Sequence, residues 1–142
     1  MLKKILAPEQ NSVLTDLALF ALRLWLGLTL FLNHGLAKLK GFSEMAPHFP
    51  DPIGLGHSVS LGLAAFAEVF CAALLAVGLV TRLAALILAI NLGVAFFFVH
   101  QLALSGEHTG ELAFIYLAGF FVLFLAGGGR FSVDKAVFGK SN

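Results

Sequence analysis

The feature that most constrains this chain is where its charges are missing. Four apolar stretches, near Asp16–His34, His57–Leu79, Leu83–Leu104 and Gly110–Gly128, hold almost no ionisable side chains away from their ends. The hydrocarbon core of a bilayer takes about 20 helical residues to cross, and each stretch is of that order. The runs are too long and too evenly apolar for membrane strands of alternating polarity, whereas a helix satisfies its backbone hydrogen bonds internally. The expected fold is an all-α membrane protein, a bundle of four transmembrane helices. Only 12% of the 142 residues are charged, against about 25% in an ordinary soluble domain. No length is left over for a soluble domain, so residues 1–142 are expected to form one transmembrane domain.

Lysine and arginine placement sets the orientation. With the N-terminus inside, Lys3, Lys4, Arg82, Arg130, Lys135 and Lys140 fall at inner ends, and only Lys38 and Lys40 fall in outer loops. Both termini are therefore expected in the cytoplasm. Met1-Leu2-Lys3-Lys4 resembles the start of a signal peptide, but Pro8-Glu9-Gln10 interrupts it at once, so the N-terminus is expected to be retained. A net charge of +1, with the basic residues at helix ends, gives no basis for binding nucleic acid. The single cysteine, Cys71, forms no intrachain disulfide and belongs to no Cys-x-x-Cys pair. Prolines, glycines and aromatics between Lys38 and Gly56 suit an outer loop folded onto the membrane surface. Ser132 is placed to cap a short amphipathic segment, Val133–Phe138, on the inner surface.

Within the apolar stretches, Arg23, Glu68 and Asn91 are the strongly polar residues far from an end. Counting inward at ~1.5 Å per residue puts all three in one layer near the midplane. Ala64, Glu68, Ala72 and Ala76 share a helical stripe of small residues that lets a neighbour approach closely, and Arg23, Gly27, Leu30 and His34 share another. Arg23 and Glu68 are expected to pair or to share a ligand, with Asn91 hydrogen-bonding across. A purely structural ion pair is the alternative, but intramembrane ionisable groups default to function, so Glu68 and Arg23 are the candidate catalytic residues. All five histidines fall on the outer side in this topology. His34, His100 and Glu111 are expected to converge there as the mouth of a pocket leading to the polar layer. Arg23, Glu68, Asn91, His34, His100 and Glu111 thus form the candidate ligand-binding set. Outer imidazoles also suit haem or a transition metal, but no tight His-x-x-x-His pair occurs, and no metal site is assigned.

Several short motifs then occur in order: Leu22-Arg23-Leu24 with Gly27, His34-Gly35-Leu36-Ala37-Lys38-Leu39, Glu68, Gly78-Leu79-Val80-Thr81-Arg82 with Ala84-Ala85, His100, Glu111, and Gly127-Gly128-Gly129-Arg130-Phe131-Ser132-Val133-Asp134. In this order and spacing the chain resembles the DoxX family of small four-helix bacterial membrane proteins. The resemblance implies a multi-pass protein of the bacterial cytoplasmic (inner) membrane. It also implies a link to redox chemistry, because related proteins include the membrane part of a thiosulfate:quinone oxidoreductase. The implied function is a redox-associated oxidoreductase subunit, with a quinone as the candidate cofactor and soluble redox subunits as candidate partners beside the lipid bilayer. A homo-oligomer is compatible with it. Two other classes stand beside this reading: a proton-coupled small-molecule carrier using Glu68 and Arg23, and a non-catalytic scaffold for redox partners.

Overall fold

A computed structural model describes residues 13–139. Helix α1 runs Val13–Lys40, α2 is the short Phe42–Met45, α3 runs His57–Val77, α4 Thr81–Val99, α5 Glu111–Ala126 and α6 Val133–Phe138. With 28, 21 and 19 residues, α1, α3 and α4 are long and apolar enough to cross a membrane. Helix α5 is a shorter apolar helix of 16 residues, about 24 Å long at 1.5 Å per residue. No strand occurs among the described residues, and the chain is an all-α, multi-pass membrane protein. The expectations resting on Lys3, Lys4, Lys140 and the N-terminal lead-in lie outside the described residues.

The bundle has two ends. The terminal end gathers the start of α1, the α3–α4 turn and the C-terminal segment; the loop end carries residues 41–56 and 100–110. Helices α1 and α4 run from the terminal end to the loop end, and α3 and α5 run back. Leu30, Leu75, Leu88, Phe120 and Leu123 pack between the helices. Trp25, Leu28, Ile115 and Phe121 are exposed apolar side chains, as a lipid-facing surface requires. The small-residue stripe of α3 faces inward: Ala64, Glu68, Ala72 and Ala76 are all buried. A Cβ added at Gly27 of α1 would lie 2.9 Å from the Ala72 carbonyl oxygen, so the two helices meet there almost backbone to backbone.

Each long helix contains a π-turn: Phe31–Gly35 in α1, Ala67–Cys71 in α3 and Ala95–Val99 in α4. A π-turn absorbs one extra residue and rotates the following face by about 100°. The first of these lies where the structure departs from expectation. Helix α1 does not end at His34–Gly35; Gly35 keeps helical dihedrals (φ −62°, ψ −54°) within a helix that continues to Lys40. The absent side chain serves packing, because a Cβ at Gly35 would overlap the backbone carbonyl of Glu68. Lys38 therefore sits on a helix and not in a loop.

The third apolar stretch, by contrast, stops early as a helix. After Val99, Gln101 and Leu102 adopt left-handed dihedrals (φ 49° and 64°), and the Leu102 N–H returns to the Phe96 carbonyl at 3.0 Å. The chain then closes a compact turn in which the Gly110 N–H donates to Ala103 O at 2.7 Å. Residues 100–104 lie on the bundle end, outside the helix.

Candidate functional site

Lys38, Glu68 and Asn91 meet where α1, α3 and α4 come together. The Lys38 ammonium donates to Glu68 Oε2 at 2.5 Å, and the Asn91 amide donates to Oε1 of the same carboxylate at 3.1 Å. Glu68 is only 6% exposed. The helix directions explain the meeting. Helical side chains lean toward the N-terminus of their own helix. Lys38, near the loop end of α1, leans back into the bundle, while Glu68, on the antiparallel α3, leans toward the loop end. The two leans bring the charges together. Each group retains capacity: an ammonium has three donors, an amide two, and a carboxylate about four acceptor sites.

This cluster borders a cavity of about 470 Å³, inside the range of small-molecule sites. Its walls are apolar side chains of α3 and α4, among them Leu63, Phe66, Ile87, Ile90 and Val94. Ala67–Glu68 and Ala95–Val99 bring two of the π-turns to its edge; such turns are frequent at functional sites. His100 and the loop residues Phe49, Pro50, Pro52 and Ile53 border the loop-end side.

That loop is clasped to the start of α3. Asp51 accepts hydrogen bonds from the N–H groups of Leu55 and Gly56, both at 2.9 Å, and from the Ser60 hydroxyl at 2.7 Å. His57 Nδ1 lies 2.6 Å from the Phe49 carbonyl oxygen. The Ser60 hydrogen bond, followed by those of the backbone, holds the Asp51 carboxyl below its ordinary range. A lowered carboxyl value means the clasp is fully made above the usual carboxylate range and is lost as pH falls through the folded-state value. Asp51→Asn is expected to speed hydrogen exchange, corrected for intrinsic rate, several-fold across residues 49–56. Acidification should do the same to the parent chain and add little to the variant. Unchanged exchange in the variant would refute the clasp.

Arg23 does not meet Glu68. Its guanidinium Nη1 donates to the Ala76 carbonyl at 2.6 Å, Nε to Gly128 O at 3.3 Å and Nη2 to Phe131 O, and it lies 5.1 Å from the centroid of the Phe20 ring. Ala76 is eight residues from Glu68 toward the terminal end, an axial distance of about 12 Å. The expected pairing counted Cα depth and left out the lean of the side chain. On α1 that lean carries a long arginine toward the terminal end, away from Glu68.

A lock surrounds this arginine. Gly78 ends α3 in a left-handed conformation (φ 78°), and a Cβ there would lie 2.6 Å from Arg23 Nη1. Asp134 accepts from the Val80 and Thr81 N–H groups at 2.6 and 2.8 Å, capping α4 from the far end of the sequence. The Arg130 N–H donates to Asp16 Oδ1 at 2.8 Å. Ser132 caps α6 as expected, accepting from the Lys135 N–H at 3.2 Å. Three of the sequence motifs, around Arg23, at Gly78–Arg82 and at Gly127–Asp134, are thus parts of one structural closure.

The loop-end residues separate as well. His100 borders the cavity and its Nδ1 lies 3.1 Å from the His108 carbonyl oxygen. His34 is half-buried against Tyr116, ring centroids 6.3 Å apart. Glu111 is exposed in the first turn of α5. Neither His34 nor Glu111 lines the cavity, so the expected three-residue mouth reduces to His100. Among the described residues, no three His, Cys, Asp or Glu side chains gather where they could hold a metal ion. Lys38 is the site residue that the sequence reading missed. The available signal was its place one helical turn after His34, with no proline between them.

Comparison with known proteins adds the lineage of this arrangement. The DoxX family model matches residues 18–101, a span containing Arg23, Lys38, Glu68, Asn91 and His100. A Haemophilus influenzae protein described as uncharacterized is 32% identical over 116 residues, covering 78% of this chain and 84% of the relative. No solved structure matches the chain.

Proposed function

The chain belongs to the DoxX family, and on that premise we propose that it is a redox-associated membrane subunit whose cavity between α3 and α4 takes the polar head of a quinone-like molecule. The carrying observation is the Lys38–Glu68–Asn91 cluster on a mainly apolar cavity. Few convergent polar groups among apolar walls are what an amphipathic headgroup requires. The donor set fits such a group: Lys38 and Asn91 have donors left for carbonyl oxygens, and Glu68 has acceptor sites left for a hydroxyl. A bound quinone would supply two-electron, two-proton chemistry. The chain's own part is to orient that head, exclude water with the clasped loop, and hold a proton at the Glu68 carboxylate, with His100 placed to pass it to solvent.

In this reading the whole chain is one transmembrane domain, and α5 is its fourth span. The terminal end faces the cytoplasm of a bacterial inner membrane. Arg82, Arg130 and Lys135 lie at that end, against Lys38 and Lys40 toward the other, and the Lys38 charge is turned into the bundle by Glu68. The cavity then lies in the outer half of the membrane. Electrons would pass through soluble redox subunits, because the chain carries no nucleotide-binding glycine motif.

Purified protein in lipid nanodiscs should bind a short-tailed quinone analogue. Glu68→Gln is expected to weaken that binding about tenfold, equivalent to ~1.4 kcal/mol. Absence of analogue binding by the parent protein would overturn the proposal in favour of a scaffold for redox partners.

A further inference from the structure

A shallow, open cleft of about 470 Å³ lies at the terminal end between the start of α4, the glycine run after α5 and α6. We propose that it is a binding site for the phosphodiester headgroup of an anionic phospholipid, held by Arg82 and Lys135. This inference does not depend on what the other cavity binds.

The charge arrangement comes first. Arg82 and Lys135 both line the cleft, and neither forms an ion pair among the described residues. Arg82 makes one long hydrogen bond, to the Leu125 carbonyl at 3.3 Å. The acidic residue of the cleft, Asp134, is already committed, with one carboxylate oxygen on the Val80 N–H and the other on the Thr81 N–H. The cleft therefore presents cations with free donors, beside a carboxylate whose hydrogen-bonding oxygens are turned to the backbone.

The apolar surroundings select the source of the phosphate. Leu83 and Phe138 line the cleft, and the exposed Phe131, Val133 and Val137 continue an apolar surface along α6. A short helix with such a face lies in the interface between headgroups and acyl chains. That places Arg82 and Lys135 at the level of lipid phosphates, where a basic pocket beside membrane helices takes an anionic headgroup. A free phosphate would use the cations and leave the apolar rim idle.

Native mass spectrometry of the full chain, released from nanodiscs holding equal amounts of phosphatidylglycerol and phosphatidylcholine, tests this. The expected result is a retained phosphatidylglycerol adduct, reduced about thirtyfold in Arg82→Gln/Lys135→Gln, given that each basic residue near the surface adds a similar electrostatic share. Lys135→Gln alone, on an exposed short helix, should cost about fivefold and keeps the test decisive if the double variant does not fold. Lys40→Gln, at the opposite end, should change nothing. Equal retention of the two lipids, or an adduct indifferent to Lys135→Gln, would overturn the proposal. Displacement of the adduct by millimolar inorganic phosphate would assign the site to free phosphate and overturn the lipid.

Discussion

Arg23→Met is expected to open the terminal end of the bundle and lower stability by about 3–5 kcal/mol, since three carbonyls lose a charged donor and each buried orphan costs about 1–3 kcal/mol. The carbonyls are those of Ala76, Gly128 and Phe131, which belong to the end of α3 and to the strap after α5. No other hydrogen bond to these three oxygens is seen outside the helices among the described residues. Arg23→Lys keeps the charge, but an ammonium cannot reproduce the planar fork that reaches several acceptors, so it should recover only part of the loss. Thermal unfolding in mild detergent gives the magnitude, and hydrogen exchange gives the place. The amides of Val80 and Thr81, held by Asp134, should lose protection together with the strap. An Arg23→Met protein as stable as its parent would show that the guanidinium is no staple.

Glu68→Ala is expected to cost a comparable ~3–5 kcal/mol, for a different reason: it leaves the Lys38 ammonium in a mainly apolar cavity without its counterion. Glu68→Gln should be milder, because an amide still accepts from Lys38 or Asn91. The informative variant is Lys38→Met/Glu68→Leu. Replacing a buried ion pair by apolar residues of similar volume is often neutral or stabilising, so the double variant should fold better than Glu68→Ala while losing the quinone analogue. A thermodynamic cycle over Lys38→Met, Glu68→Leu and the double variant measures the coupling directly. A coupling near zero would mean that the two charges do not meet in the membrane-embedded protein. A stable double variant that no longer binds would assign the pair to ligand recognition, with folding supported elsewhere.

Much of this protein is legible from residues alone, and the places where legibility stops have a common cause. The apolar stretches locate the helices, three of them long enough to cross a membrane, because a crossing fixes length and polarity together. The stripe of Ala64, Glu68, Ala72 and Ala76 is readable because a helix repeats every 3.6 residues, and all four are buried as the stripe requires. The end of α1 was not readable: Gly35 looks like a terminator, yet it is a contact surface for the Glu68 backbone. A glycine that stops a helix and a glycine that admits a neighbour are the same residue in a sequence.

The choice of partners followed the same divide. Sequence alone determined that Arg23, Glu68 and Asn91 needed polar company, because an unpaired charge in lipid is costly wherever the chain puts it. Only the tertiary structure decided who the company is. Arg23 and Lys38 share a helix and lean the same way along it, so one reaches the backbone carbonyls of the terminal end and the other reaches down to Glu68. Depth along a helix is a property of residue count; the direction and reach of a side chain, and the helix that happens to stand opposite, come into being when the bundle closes.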